Sequence, residues 1–68
     1  MLHYYVNDNA QSDGYHEVHN ATCSYLPDVQ NRTYLGYFDS CRPAVRKAKE
    51  IYPKSDGCGH CSLECHTH

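Results

Sequence analysis

The 68-residue chain predicts a single small α+β domain, residues 1–68, in which a β-hairpin and a third strand form a three-stranded antiparallel sheet covered by one main helix. Three observations carry this. Two short runs of aromatic and β-branched residues flank a polar turn. A third such run follows. One amphipathic helix with clear start and stop signals comes next, before a tail dense in cysteine and histidine.

The first run is His3-Tyr4-Tyr5-Val6-Asn7-Asp8, and Ala10-Gln11-Ser12-Asp13-Gly14 is turn material. Tyr15-His16-Glu17-Val18-His19 resumes the strand pattern, which closes a hairpin. Asn20 to Pro27 holds too many cap and turn formers to extend it. Arg32-Thr33-Tyr34-Leu35-Gly36-Tyr37-Phe38 is the strongest strand by propensity. Asp39 or Ser40 can cap the helix that follows, Pro43 fits its first turn, and Pro53 stops it. Cys41, Ala44, Val45, Ala48, Ile51 and Tyr52 recur at three- and four-residue intervals and form the face turned to the sheet. Ser55-Asp56-Gly57 reads as a turn into the tail, which reads in turn as a Cys-rich turn or short helix.

So short a chain buries too little apolar surface to rest on its core alone. Leu, Val, Ile and Phe supply only ten side chains, and seven tyrosines bring hydroxyls that need partners when buried. A further fastening is expected. Five cysteines and six histidines point to a metal or to disulfides. The N-terminus lacks the basic start and apolar run of an export signal, so a cytoplasmic location and reduced thiols are expected, which favours a metal. No segment approaches the roughly 20 apolar residues that cross a bilayer.

The motif Cys58-Gly59-His60-Cys61 has two chemical meanings. As a dithiol redox pair it needs a helix N-terminus inside a βαβ frame to lower the first thiol's pKa. Here it follows the only clear helix. As a metal half-site its two-residue spacer lets a tight turn aim both sulfurs at one tetrahedral ion. The other half is His19-x3-Cys23, and His19, Cys23, Cys58 and Cys61 together make a Cys3His set suited to one structural zinc ion. Such a site can contribute on the order of ten kcal/mol to folding. Cys65 and His66 follow at spacings that allow either to replace a ligand, and His16 competes with His19 from the opposite strand face. Cys41 can also serve, although a small buried thiol on the helix is the plainer reading. His3, His60 and His68 read as solvent-facing.

The pattern His19-x3-Cys23-Ser24-Tyr25-Leu26, then Asn31-Arg32-Thr33-Tyr34 and Tyr37-Phe38-Asp39-Ser40, then a helix with Ala44 and Ala48, then Cys58-x2-Cys61, resembles the small zinc-binding domain of the Ada DNA-repair proteins and its stand-alone bacterial relatives. The resemblance spans about residues 15 to 61 and implies a zinc-containing α+β fold. It does not imply alkyl transfer. In the repair proteins a cysteine accepts the methyl group at the position where this chain has His19, and an imidazole offers no thiolate nucleophile.

No paired carboxylates, phosphate loop or Ser/His/Asp arrangement suggests an enzyme. A net charge of −2 argues against wholesale attraction to nucleic acid or acidic lipid. Five of the six basic residues nevertheless lie between 42 and 54, and Arg42, Arg46 and Lys49 share a helix face. The reading is therefore a monomeric, non-enzymatic binding or adaptor module for a protein partner, away from membranes. Nucleic-acid binding through Arg42, Arg46 and Lys49 is the alternative, and a thiol redox protein or metal sensor using Cys58 and Cys61 is a second.

Overall fold

The computed structural model describes residues 1–67, so His68 and its expected exposure lie outside the described residues. Strands β1 (Leu2–Asn7), β2 (His16–Asn20) and β3 (Arg32–Phe38) match the three sequence runs. Helix α1 (Cys41–Ile51) follows, then a short strand β4 (Ser55–Gly57). The sheet order is β3-β1-β2-β4.

The expected three-stranded antiparallel sheet is corrected to a four-stranded mixed one. β1 runs antiparallel to both β2 and β3, whereas β4 joins β2 in parallel, pairing Ser55, Asp56 and Gly57 with His16, Glu17 and Val18. Ser-Asp-Gly has the composition of a turn, and its strand geometry is imposed by its neighbour. His16 N–H donates to the Lys54 carbonyl at 2.8 Å and Cys58 N–H to the Val18 carbonyl at 2.9 Å. All three β4 residues are buried. A backbone buried so completely must find partners, and the free edge of β2 supplies them.

Alternation along the strands sorts the side chains. Tyr4, Val6 and Val18 point to the helix and form the core with Leu35, Cys41, Ala44 and Ala48. His3, Tyr5, Glu17 and His19 therefore lie on the other face. β3 carries a bulge: Tyr4 pairs with Gly36 and Tyr5 with Tyr34, which leaves Leu35 as the extra residue. Gly36 sits there at φ 142°, a conformation that excludes most side chains. The bulge shifts the alternation, so Leu35 and Phe38 both reach the core while Tyr34 and Tyr37 stay outside.

Ser40 caps α1, its hydroxyl accepting from Arg42 N–H at 3.4 Å. Ala44 and Ala48 are fully buried, and their small side chains let the helix lie close to the sheet. Ile51 departs from the expected inward face and is 45% exposed at the last helical turn. No helix among the described residues is long and apolar enough to cross a membrane.

Candidate metal centre

His19, Cys23, Cys58 and Cys61 converge at the end of β2, one ligand-type atom from each lying within 4.8 Å of all the others. Each arrives by a local device. His19 leaves the end of β2 opposite Tyr5. A turn then folds Cys23 back over it, with Cys23 N–H donating to the Asn20 carbonyl at 3.1 Å. The Asn20 side chain fixes that turn by accepting from Thr22 N–H at 2.9 Å and from the Thr22 hydroxyl at 2.8 Å. Cys58 follows β4 directly, so the parallel register with β2 brings it level with His19. A tight turn closed by Ser62 N–H on the Cys58 carbonyl at 3.0 Å returns Cys61 to the same point.

Three of the separations are close to the edges of a zinc tetrahedron, and all lie within 4.8 Å. Typical zinc bond lengths imply S–S separations of about 3.8 Å and S–N separations of about 3.6 Å. Cys23 and Cys58 sulfurs are 3.9 Å apart, and the His19 Nδ1 lies 3.5 Å from Cys23 Sγ and 4.0 Å from Cys61 Sγ. Nδ1 is thus the imidazole atom that faces the sulfurs. Two backbone N–H groups point at sulfur as well, His60 to Cys58 and Asn20 to Cys61, each at 3.4 Å. Such donors stabilise thiolate charge. Asn20 adds a bond from its side-chain amide to the Cys61 carbonyl at 3.3 Å and so ties the two halves together.

Burial prepares these groups for a cation. His19 and Cys58 are each 1% exposed. Desolvation lowers the His19 pKa, which keeps the imidazole neutral and its lone pair free. Burial, followed by the hydrogen bond with Cys23, pushes the Cys61 thiol up to about 12. Only a nearby cation would draw out its thiolate at neutral pH. Glu17 is also raised, first by burial, with His66 opposing the shift.

The remaining sequence candidates lie elsewhere. Cys41 and Cys65 form a disulfide with Cα atoms 6.3 Å apart, joining α1 to the tail. This corrects two expectations: Cys41 is buried but is not a free thiol, and the thiols are not all reduced. Cys65, left open as a replacement ligand, is taken up by the disulfide. Partner choice among five cysteines depends on tertiary placement, which spacing along the chain does not give. Cys23, Cys58 and Cys61 are free. His16 stacks on Tyr52 with centroids 3.8 Å apart and donates from Nδ1 to the Asn7 carbonyl. His66 contacts Asp56 and the Gly57 carbonyl, His60 stacks on Tyr25, and His3 bonds Tyr34. Asn20 is the residue that sequence reasoning valued too little. Its turn propensity was visible, but its bridge to Cys61 spans 41 positions.

Comparison of the chain with protein-family profiles, curated proteins and solved structures finds no match.

Proposed function

We propose that the chain is a small zinc-binding module in which His19, Cys23, Cys58 and Cys61 hold one structural ion, and that it acts as a non-enzymatic binding or adaptor protein. The observation that carries the reading is the convergence of four ligand-type atoms within 4.8 Å of one another from two widely separated half-sites. Three sulfurs and one imidazole suit zinc over oxygen-preferring magnesium or calcium. Four protein ligands leave no open position for a substrate, so the ion serves the fold. The resemblance to the zinc domain of the Ada proteins implies the same metal, and His19 in place of the methyl-accepting cysteine speaks against alkyl transfer.

Burial of Cys58 speaks against disulfide exchange, since the first thiol of a redox pair must meet its substrate. Elemental analysis of the purified protein should find one zinc per chain, and cobalt substitution should give the absorption of a tetrahedral thiolate site. A chain that folds with no bound metal and three reactive thiols would refute the reading.

Nucleic-acid binding is retained as a second reading on one observation. Arg42, Arg46 and Lys49 are exposed, and none has an ion-pair partner among the described residues. Salt-sensitive binding to RNA or DNA that is lost when all three become alanine would establish it.

A further inference from the structure

The outward end of the His19 ring holds an unsolved problem. Its Nε2 is the one buried side-chain nitrogen or oxygen among the described residues that lacks a hydrogen-bond partner. A buried polar atom left so is costly and calls for an explanation. The nearest carboxylate oxygen is Glu17 Oε1, 3.8 Å away. Glu17 precedes His19 by two positions on β2, so both side chains leave the same sheet face.

We infer that Glu17 is the positioning residue of the metal centre: its carboxylate accepts the Nε2–H of His19 when Nδ1 binds the ion, fixing the tautomer and the ring orientation. The inference rests on the zinc reading above. Neutral imidazole carries one proton, and a metal on Nδ1 places that proton on Nε2. Glu17 Oε1, 3.8 Å away, is then the carboxylate oxygen within reach of that proton. A carboxylate partner at the far nitrogen is the general device by which proteins orient a ligating histidine and raise its basicity.

Asp56 cannot replace Glu17 in this role, although the two are register partners on the same face. Its carboxylate already accepts two bonds from Thr67 N–H at 3.0 Å and one from the Thr67 hydroxyl at 2.9 Å, and it faces His66 at 3.3 Å. Glu17 accepts no hydrogen bond among the described residues. Its side chain is 22% exposed and so has room to turn. A movement of about 1 Å would bring its oxygen to hydrogen-bonding distance.

The test compares wild type, Glu17→Ala and Glu17→Gln. Zinc affinity is measured by competition with a chelator, and the His19 tautomer by long-range proton–nitrogen NMR of the zinc-loaded chain. Wild type should show metal on Nδ1 and a slowly exchanging proton on Nε2. Glu17→Ala should lose about tenfold to a hundredfold in affinity with its ligand set and fold unchanged. Glu17→Gln keeps an acceptor oxygen and should recover part of that loss. Wild-type affinity in Glu17→Ala, or metal on Nε2, would overturn the role of Glu17 while leaving the zinc site standing. Failure of wild type to bind zinc at all would overturn both.

Discussion

The tail is fastened twice, and the two fastenings differ in kind. On the helix side the Cys41–Cys65 disulfide ties the tail to α1 by one covalent bond. At the end of β2 Cys58 and Cys61 meet His19 and Cys23 with no covalent link at all. The covalent tie acts mainly by restricting the unfolded chain, and needs little from its surroundings. The polar cluster demands far more. It buries His19 and Cys58, half-buries Cys23 and Cys61, recruits backbone donors from Asn20 and His60, and leaves Nε2 of His19 without a partner. Such an arrangement is stable only when something at its centre repays the desolvation. The disulfide holds whatever the cluster contains, whereas the hold of the cluster turns on what occupies its centre.

The comparison breaks most sharply at the cluster. Cys58→Ser or His19→Ala should each release the metal and unfold the domain, with an apparent loss that can reach about ten kcal/mol. Circular dichroism and metal content of the same samples would check this. Unchanged melting in both variants would mean that the cluster is only a packed set of neutral groups. Removing the disulfide should cost less. Replacing Cys41 and Cys65 by alanine frees a loop of 24 positions and should destabilise by about 3 kcal/mol, with zinc binding retained. Denaturant titration would measure it.

The smallest effect separates the metal-free from the metal-loaded chain by pH. Burial raises the Cys61 pKa from 9.0 to about 12, so without metal the unfolded state releases this proton first. Stability from that group is complete below about pH 9 and is lost as pH rises toward 12. Bound zinc would hold the thiolate and should abolish this part of the alkaline loss. Tyr4, also raised by burial, contributes a loss in both forms. Thermal melts between pH 8 and 11, with and without zinc, should therefore diverge as pH increases.

How much of this was legible in the sequence depended on range. The strand runs at His3-Tyr4-Tyr5-Val6 and Arg32 to Phe38, and the Ser40 cap with the Ala44/Ala48 face, are local signals and were read correctly. His19-x3-Cys23 and Cys58-x2-Cys61 are local as well, and each half-site was visible as a spacing. Strand β4 was hidden because Ser55-Asp56-Gly57 has no strand propensity and becomes a strand only by lying along β2. The disulfide was hidden because Cys41 and Cys65 carry no mutual signal across 24 positions. Glu17 was overlooked on a strand whose histidines drew the attention, although its two-residue spacing from His19 is itself readable.

The parallel register of β4 on β2 has a consequence for how the chain folds. The hairpin that carries His19 and Cys23 can form from local contacts, but Cys61 reaches His19 only across 42 positions, after β3 and α1 have intervened. Closing so long a loop is entropically costly, and non-local pairings of this kind slow folding. On this ground docking of the tail is expected to come late. Until it occurs, β2 presents an unpaired edge to any other chain nearby, and the ligands that complete the cluster are the same segment that covers that edge.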